Sequence, residues 1–379
     1  MTCPILPGST IGIFGSGQLG RMIAISARQM GYNIHTFSPD TSSPTGQLAD
    51  QEFVSAYNDI DAIRHFATNT DIITFEFENI PVNCLKAASE ITPVHPHEGV
   101  LYTTQHRLRE KLFLEKNGFP VAPFRHIKNW NQLNNAIDEL GMPAVLKTAG
   151  FGYDGKGQRR IESRKDLASA WKSMGGQEAV LEKFINFKLE LSVVAATSIT
   201  GEFVNYGTIQ NKHTNHILDI SSAPADIPGA VEISAINLTR DVFTKLDFIG
   251  VACVEYFLDS EDNLVINEIA PRVHNSGHFS LDACNTSQFE QHVRAICGLP
   301  LGSTVQPRPA AMLNLLGNLW EKQEPDWINI LTIPEIKLHL YGKKEPRAGR
   351  KMGHLTALGD TQNQAIHHIL EAKEKLESI

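Results

Sequence analysis

The chain has 379 residues, of which 42% are hydrophobic and 28 are glycines, and this composition predicts a globular protein of two or three domains. A formal net charge of -8 disfavours general binding to nucleic acid or to an anionic membrane surface. No apolar run approaches the roughly 20 residues of a membrane span, and the start of the chain lacks the basic residues of a signal peptide, so we expect a cytoplasmic location. The five cysteines are scattered without CxxC spacing, which favours reduced packing residues over disulfide bonds or a zinc site.

The first hundred residues show the pattern of an α/β nucleotide-binding domain. An apolar strand is predicted at 10–14, followed by the glycine turn GSGQLG, a helix that ends at Gly31, and a second strand at 33–37. A glycine turn at the N-terminus of a helix offers free backbone N–H groups to an anion. Because the turn also fits GxGxxG, two alternatives stay open: a nicotinamide-dependent oxidoreductase in which Asp40 binds a ribose, or glycines that only let helix and strand pack closely.

Two acidic residues lie at the end of the next predicted strand, which covers 71–77. Ligands of open α/β sheets gather at the carboxyl ends of the strands, so Glu76 or Glu78 is expected to face the same crevice as Gln18. The other carboxylate of the two would then lie in solvent.

A single helix is predicted at 101–117, closed by Gly118. Arg107 lies in its first half. The beginning of this helix marks the expected end of the first domain.

A glycine-rich loop lies in the middle of the chain. It follows a short predicted strand at 144–148 that contains Lys147, and it has four glycines within 150–157. The backbone of such a loop can approach phosphates closely. Because GxxxxGK[ST] is absent, we expect a hairpin that closes over ATP and not a Walker A loop, with an ordinary mobile hairpin as the alternative.

The strands after this loop offer a nucleotide pocket. Residues 182–185 (EKFI) follow a predicted strand at 179–181 and suit adenine, which takes backbone hydrogen bonds and an apolar wall. Glu190 opens another strand and is placed to bind a ribose hydroxyl.

A β-hairpin is predicted where a strand at 251–259 is followed by the turn residues 260–263 and a second apolar strand. If the turn is centred in the middle of this tetrapeptide, Glu255 lies opposite Glu268, with Cβ atoms roughly 4.5 to 5.5 Å apart. Two like charges at that distance are destabilising unless a cation lies between them. Mg²⁺ (or Mn²⁺) suits the place, because magnesium takes hard oxygen ligands and is usually held by one or two carboxylates plus substrate phosphates. A register shift would instead leave one glutamate in solvent.

Taken together, these residues resemble the ATP-grasp fold. Four longer motifs narrow the resemblance: GSGQLGRM near the start, FGYDGKGQ in the middle, INEIAPRVHNSGH, and YGKKEPRAGRKMGH near the end. They resemble the N5-carboxyaminoimidazole ribonucleotide synthetases of purine biosynthesis, and the similarity covers residues 10 to about 360.

The resemblance implies an α/β (α+β) protein with an ATP-grasp fold. A Rossmann-like N-terminal domain is expected at 1–100, and the ATP-grasp domain at 101–300, with a mobile lid at about 120–187. A small β-rich C-terminal domain is expected at 301–379. Members of the family tend to be dimers, so a homodimer is implied.

The resemblance also implies a reaction. An ATP-dependent carbon–nitrogen ligase would convert bicarbonate and 5-aminoimidazole ribonucleotide into the N5-carbamate, with ADP and phosphate as products and carboxyphosphate as the intermediate. Mg²⁺ on Glu255 and Glu268 would bridge phosphate oxygens of ATP. By resemblance, ATP contacts fall on Arg107, Lys147, Gly152, Tyr153, Asp154, Gly155, Lys156, Gly157, Gln158, Glu182, Lys183, Phe184, Ile185, Glu190, His213, Asn267 and Glu268.

Catalytic and substrate-binding residues are implied in the same way. Arg272 and His274 would bind carboxyphosphate, and Tyr153 and Asp154 in the glycine-rich loop would exclude water. The group that handles the amine proton stays open between Glu76 and Asp154. The ribonucleotide would be bound by Gln18, Leu19, Glu76, Asn275, Ser276, Lys343 and Arg350.

Two alternatives to this reaction remain. The nearest is another ATP-grasp ligase, such as a formate-dependent glycinamide ribonucleotide transformylase, which shares the ATP machinery and a phosphoribosyl substrate. A non-catalytic nucleotide-binding module is disfavoured because both metal carboxylates are present.

One departure from the superfamily concerns the metal site. Some ATP-grasp enzymes carry Glu-x-Asn at the second metal position, whereas here Asn267 precedes Glu268. Strand alternation would turn Asn267 away from Glu268, so a direct metal contact would need a β-bulge.

Overall fold

The structure, a computed structural model, describes residues 3–150 and 157–377. Three β-sheets organise these residues: a four-stranded parallel sheet, a four-stranded antiparallel sheet and an eight-stranded antiparallel sheet. Within this part of the chain, no helix combines the length and the apolar character that crossing a membrane requires.

The parallel sheet belongs to the N-terminal domain and has the strand order β3-β2-β1-β4. Phe14, Phe37, Phe66 and Phe75 are fully buried and form the centre of its core. The predicted first strand, helix and second strand are confirmed to within two residues. The elements are β1 (Thr10–Phe14), α1 (Gln18–Gln29), β2 (Asn33–Ser38), β3 (Gln51–Val54), α2 (Ile60–Thr68), β4 (Ile72–Phe75), α3 (Val82–Ser89) and α4 (Glu98–Thr104).

The single helix predicted at 101–117 is wrong, because the segment forms two helices, α4 and α5 (Arg107–Lys116). His106 separates them with an extended backbone (φ -135°, ψ 112°). The amide of Arg107 donates to the carbonyl oxygen of Ala149 at 2.8 Å. A contact between segments far apart in sequence therefore breaks the helix and brings the start of α5 beside the glycine-rich loop.

The small antiparallel sheet has the strand order β5-β8-β6-β7. Glu182 pairs with Val145, two residues before Lys147, so Glu182 and Lys147 project from the same face as diagonal neighbours. The elements are β5 (Phe124–Ile127), α6 (Trp130–Leu140), β6 (Ala144–Thr148), β7 (Gln158–Ile161), α7 (Leu167–Ser173) and β8 (Ala179–Lys183).

The large sheet has the strand order β13-β12-β9-β10-β11-β14-β16-β15, so β13 is an edge strand. The C-terminal strands join this sheet through the antiparallel pairing of β11 with β14. The remaining elements are β9 (Phe187–Thr197), β10 (Phe203–Thr214), β11 (Ile217–Ala223), α8 (Gly229–Lys245), β12 (Gly250–Asp259), β13 (Leu264–Ala270), α9 (Ser280–Ala283), α10 (Gln288–Ile296), β14 (Ala310–Leu316), α11 (Trp327–Ile330), β15 (Ile336–Leu340), β16 (Lys351–Leu358) and α12 (Gln362–Glu377).

The N-terminal domain packs on the large sheet through α1 and α10. One buried cluster joins Met22 and Ile23 of α1, Val194 of β9, and Phe289 and Val293 of α10. This packing places the carboxyl ends of β1 and β4 next to the segment that follows β13. The candidate site lies in the crevice between them.

Candidate active site

A cavity of about 1260 Å³ lies where the three sheets meet. A second cavity, of about 740 Å³, adjoins it and shares Gln18, Glu76, Lys343 and Arg350 with it. The sequence-predicted residues that line the larger cavity are Gln18, Leu19, Glu76, Arg107, Lys147, Gln158, Glu182, Lys183, Phe184, Ile185, Glu190, His213, Glu255, Asn267, Glu268, Arg272, His274, Asn275, Lys343 and Arg350.

Five of the predicted site residues belong to the part of the glycine-rich loop that the structure does not describe. Gly152, Tyr153, Asp154, Gly155 and Lys156 lie outside the described residues, so their contacts with ATP and carboxyphosphate stay predictions.

Gly157, where the chain leaves the glycine-rich loop, has a left-handed backbone with φ 73°. A Cβ there would collide with the side chain of Thr148. Glycine is therefore required at the point where the loop enters β7.

Glu255 and Glu268 pair directly across β12 and β13, as predicted. The predicted turn centre is wrong, because Leu258 pairs with Leu264 and the hairpin is therefore centred on Glu261. The Glu255 side chain is 15% exposed and that of Glu268 is 40% exposed. Burial and, after it, the charge of Glu268 raise the pKa of Glu255 to about 7. The pair is therefore unfavourable without a compensating cation.

A β-bulge brings these carboxylates together. Tyr256 pairs with Ile266 and Glu255 pairs with Glu268, so Asn267 is the extra residue in β13. Without the bulge, Asn267 would lie opposite Glu255. The expected separation of Asn267 from Glu268 by strand alternation does not hold here, because the bulge interrupts the alternation and both residues line the cavity.

The donor set at the bulge fits a divalent cation. Within residues 3–150 and 157–377, no hydrogen-bond partner reaches the buried Oδ1 atom of Asn267. This oxygen and the carboxylates of Glu255 and Glu268 are hard donors of the kind that Mg²⁺ takes. No group of three or more His, Cys, Asp or Glu side chains suited to a metal occurs in the described part of the chain. Two carboxylates are enough for Mg²⁺ when substrate phosphates complete its coordination.

A buried charged cluster lies beside this pair. The Nζ atom of Lys147 is 3.1 Å from Glu182 Oε2, and the Nζ atom of Lys111 is 3.4 Å from the same oxygen. Burial alone would raise the pKa of Glu182, but the charges of Lys111 and Lys147 lower it to about 2. Burial lowers the pKa of Lys147. Glu182 therefore stays ionised and holds Lys147 at the cavity wall.

The predicted adenine segment, 182–185, forms part of the cavity wall. The amides of Lys183 and Phe184 already donate to the carbonyl oxygens of Pro123 and Pro143, at 2.8 and 3.1 Å. The guanidinium of Arg160 stacks 3.9 Å from the centre of the Phe184 ring. An adenine ring would therefore use other backbone groups of this segment and pack against the stacked pair.

Two basic side chains, Arg107 and His213, lie near the carboxylates. The Nδ1 atom of His213 is 2.7 Å from Glu190 Oε2. Burial lowers the pKa of His213, but its hydrogen bond to Glu190 and the charges of Glu190, Glu255 and Glu268 outweigh this and raise it. The Nη1 atom of Arg107 is 3.4 Å from Glu268 Oε2. Both side chains line the larger cavity.

Arg272 is held in place by Glu78. The Nε and Nη2 atoms of Arg272 lie 2.5 and 3.1 Å from the two carboxylate oxygens of Glu78. Burial raises the pKa of Glu78, but the charge and hydrogen bonds of Arg272 outweigh burial and lower it. The expectation that one of Glu76 and Glu78 lies in solvent is wrong, because Glu76 is buried and Glu78 is paired.

The hydrogen bonds of His274 define its tautomer. Its Nδ1 atom accepts from the backbone amide of Ser276 at 3.3 Å and lies 2.9 Å from Ser276 Oγ. An amide can only donate, so the neutral ring carries its hydrogen on Nε2, which is 3.2 Å from Glu255 Oε1. Burial and the charge of Arg272 lower the pKa of His274 well below its usual value. The neutral ring therefore presents an N–H group to the cavity.

The two residues after His274 differ in their placement. Both polar atoms of the Asn275 side chain are buried, and no partner for either is found among residues 3–150 and 157–377. Ser276 is fully buried, and its Oγ atom accepts from Ser192 Oγ at 2.8 Å. Asn275 is thus available to a ligand. The predicted contact of Ser276 with the ribonucleotide stays a prediction that this placement does not favour.

The glycine turn is occupied by Glu76. The amides of Gly17 and Gly20 donate to the two carboxylate oxygens of Glu76 at 2.6 and 3.0 Å. A Cβ at Gly15 would collide with the Glu76 side chain. The glycines therefore make room for a carboxylate of the protein itself, which takes the place of a dinucleotide pyrophosphate at the start of α1. Gln18 borders the cavity beside it.

Lys343 and Arg350 lie where the two cavities meet. Each also donates to a backbone carbonyl within its own segment. The side chain of Gln47 donates to the carbonyl oxygen of Gly342 at 2.9 Å. This contact holds the basic segment against the N-terminal domain, with its cations near Gln18.

Two residues of α5 belong to the site although sequence analysis assigned them no role. Glu110 and Lys111 are 4% and 1% exposed, and both reach β13. Arg109, the preceding residue of α5, instead packs on Tyr102; its guanidinium carbon lies 3.9 Å from the centre of the Tyr102 ring. The adjacent glutamate and lysine were the only sequence signal for these two residues. This signal is weak, because charged residues on a helix usually lie in solvent.

Three family models match the chain. They are the ribonucleotide synthetase preATP-grasp domain at 8–105, the ATP-grasp domain at 112–289, and the phosphoribosylaminoimidazole carboxylase C-terminal domain at 310–368. Together with the site, they define an ATP-grasp protein with a preATP-grasp domain, which confirms the predicted fold class.

Curated relatives define the family more closely. The N5-carboxyaminoimidazole ribonucleotide synthase of Bacillus subtilis (strain 168) is 43% identical over 365 residues, which cover 96% of this chain and 95% of the relative. The chain belongs to the N5-carboxyaminoimidazole ribonucleotide synthase family. The bifunctional purine synthesis protein purC/E of Dictyostelium discoideum is 39% identical, and the match covers 92% of this chain and 37% of that protein.

Solved structures agree with this placement. An ADP complex of an N5-carboxyaminoimidazole ribonucleotide synthetase has a TM-score of 0.94 and 43% identity, with 98% of each chain covered. The N5-carboxyaminoimidazole synthase of Aspergillus clavatus, in complex with ADP and 5-aminoimidazole ribonucleotide, has a TM-score of 0.91 and 30% identity. That match covers 98% of this chain and 99% of the other.

Proposed function

We propose that this chain is an ATP-dependent carbon–nitrogen ligase that carboxylates 5-aminoimidazole ribonucleotide with bicarbonate in purine biosynthesis. The products are N5-carboxyaminoimidazole ribonucleotide, ADP and phosphate. The observation that carries the proposal is the opposed pair Glu255 and Glu268 in a cavity with Lys147 at one end and the basic segment at the other. The ligands of the Aspergillus clavatus structure support the choice of nucleotide substrates.

ATP is proposed to lie between the small sheet and the β12–β13 hairpin. Lys147 and the glycine-rich loop would hold its phosphates, and Arg107 and His213 would add positive charge beside them. Mg²⁺ (or Mn²⁺) held by Glu255 and Glu268 supplies charge compensation for the transferred phosphoryl group.

Carboxyphosphate is proposed to form at the Arg272 side of this pair. An oxygen of bicarbonate attacks the γ-phosphorus of ATP, and ADP leaves. The guanidinium of Arg272, fixed by Glu78, and the Nε2–H group of His274 are placed to bind the anionic oxygens. A bidentate ion pair preorganises the guanidinium, so little reorganisation accompanies the reaction.

Carboxyl transfer completes the proposed reaction. The amine of the ribonucleotide attacks the carboxyl carbon, or CO₂ released from carboxyphosphate, phosphate leaves, and the amine loses a proton. Glu76 and Asp154 are the two proposed acceptors of this proton.

The ribonucleotide phosphate is proposed to bind where the two cavities meet. A dianion needs a local basic site in a protein of net charge -8, and Lys343 and Arg350 supply one. The backbone N–H groups of Gln18 and Leu19 at the start of α1 would add to it. Asn275, which also lines the cavity and whose side-chain amide has no partner among the described residues, would offer a further hydrogen bond to the nucleotide.

Two competing functions are separated by one assay. Purified protein is supplied with Mg²⁺-ATP and either bicarbonate plus 5-aminoimidazole ribonucleotide or formate plus glycinamide ribonucleotide. The proposal expects ADP release in proportion to the first nucleotide and none with the second pair. ADP release only with formate plus glycinamide ribonucleotide would assign the chain to the transformylase reaction. We further propose a homodimer, which sedimentation of the purified protein tests, and a cytoplasmic location, which fractionation of cells tests.

A further inference from the structure

The residues of α5 that reach β13 point to a role in building the metal site. We propose that Lys111 and Glu110 are positioning residues, which hold the β-bulge that brings Glu268 opposite Glu255. The inference rests on the proposed function of that carboxylate pair. Neither residue would touch ATP, bicarbonate or the ribonucleotide in this role.

β13 is an edge strand, so its outer backbone groups have no neighbouring strand in the sheet. α5 and the segment after it supply partners instead. The Nζ atom of Lys111 donates to the carbonyl oxygen of Asn267 at 2.9 Å. The amide of Ile269 donates to Glu110 Oε2 at 3.1 Å. The two side chains therefore fix the backbone on both sides of Glu268.

The bulge needs such support because it interrupts the β-ladder. The hairpin pairs regularly from its turn up to Tyr256 and Ile266, and one further regular step would oppose Asn267 to Glu255. The extra residue of a bulge has no ladder partner of its own. The ammonium group from α5 binds its carbonyl oxygen, which stabilises the register that places Glu268 at the site.

The burial of the Lys111 ammonium group beside Glu110 also needs an explanation. Lys111 is 1% exposed and Glu110 is 4% exposed, in a core that includes Leu114 of the same helix. Burying a charge is costly unless the group is paired and hydrogen-bonded. An apolar residue would pack there without this cost but could not donate to the Asn267 carbonyl oxygen, as Lys111 does.

Lys111→Met tests the inference, because methionine keeps the length of the side chain but removes the charge and the donor. The matched control is Lys116→Met, at the exposed end of the same helix. Binding of Mn²⁺ in the presence of saturating ADP is measured by electron paramagnetic resonance of the free ion. We expect affinity at least tenfold weaker in Lys111→Met and unchanged in Lys116→Met.

A second measurement distinguishes the loss of bulge support from the loss of the ion pair between Lys111 and Glu182. ADP binding is measured by calorimetry in EDTA, where the metal site makes no contribution. We expect wild-type and Lys111→Met affinities within twofold of each other. Unchanged Mn²⁺ binding in Lys111→Met, or an equal loss of ADP affinity in EDTA, would overturn the inference.

Variants of Glu110 keep the inference testable if Lys111→Met does not fold. Glu110→Leu removes the acceptor for the Ile269 amide and is expected to weaken Mn²⁺ binding about fivefold. Glu110→Gln keeps an oxygen acceptor and is expected to bind within twofold of wild type. Wild-type binding by Glu110→Leu would refute the role. Absence of Mn²⁺ binding in the wild-type ADP complex would instead refute the metal pair itself, so the two failures are distinguishable.

Discussion

Replacing Glu268 by glutamine removes one of two opposed charges with almost no change in side-chain volume. We expect Glu268→Gln to lose ADP formation, because the divalent cation loses a carboxylate ligand. We also expect the metal-free variant to be more stable than wild type at pH 8, because Glu255 then ionises without a like charge opposite it. The same change would therefore lower activity and raise stability.

The size of the effect follows from the pKa of Glu255, which is raised from 4.5 to about 7. At about 1.36 kcal/mol per pKa unit, ionised Glu255 destabilises the fold by roughly 3 kcal/mol well above pH 7. Burial is the larger cause and the charge of Glu268 is the next, to which we assign about 1 kcal/mol. The variant also loses the partly exposed ion pair between Glu268 and Arg107, and this loss offsets about 0.5 kcal/mol of the stabilisation.

The sign of the stability change depends on pH. The pKa of Glu255 is higher in the folded than in the unfolded chain, so its contribution to stability is present below about pH 4.5 and is lost as pH rises through about 7. We therefore expect Glu268→Gln to be about 0.5 kcal/mol more stable than wild type at pH 8 and slightly less stable at pH 5.

Unfolding in EDTA at pH 5 and pH 8 measures this reversal. Glu261→Gln, in the exposed turn of the same hairpin, is the matched control and should change little at either pH. A variant that is less stable than wild type by the same amount at both values would refute the electrostatic reasoning. Retained ADP formation at saturating Mg²⁺ would refute the role of Glu268.

Three further variants address the rest of the cavity. Arg350→Ala should raise KM for the ribonucleotide at least tenfold and leave KM for ATP within about twofold; equal changes in steady-state assays would move the phosphate site elsewhere. Arg272→Lys cannot keep the bidentate contact with Glu78 and should lower kcat about 100-fold, so wild-type kcat would contradict the placement of this guanidinium. Ser276→Ala removes the hydroxyl at His274 Nδ1 and should lower kcat about fivefold and shift the ¹⁵N resonances of the ring, and no change in either would count against a hydrogen bond from Ser276 Oγ to this ring.

The hairpin shows how far sequence reasoning reaches. Turn residues between two apolar strands predicted the hairpin and the opposition of Glu255 and Glu268, but the turn is centred on Glu261 and the bulge produces this pairing. The bulge at Asn267 was not predictable from the hairpin itself, because the groups that hold it belong to α5. Local sequence patterns predict strands and turns, whereas the position of a β-bulge depends on residues that are distant in the sequence.

The glycine turn is an element whose local pattern was predicted and whose binding partner was not. GSGQLG has the local pattern of an anion-binding turn, and the turn does bind a carboxylate, but this carboxylate is Glu76, from a strand far along the chain. The break before α5 has the same cause, since the amide of Arg107 pairs with Ala149 rather than within a continuous helix. At the glycine turn the local sequence predicted the element but not its partner, and at 101–117 the missing distant partner made the prediction of a single helix wrong.

The carboxylation itself is tested most directly by following products from ¹³C-labelled bicarbonate with Mg²⁺-ATP and 5-aminoimidazole ribonucleotide. One ADP and one labelled N5-carbamate should appear for each nucleotide consumed, and both should be lost in Glu268→Gln. ADP formation that is independent of bicarbonate and of the nucleotide, or labelled carbamate formed without ATP, would contradict the proposed enzyme.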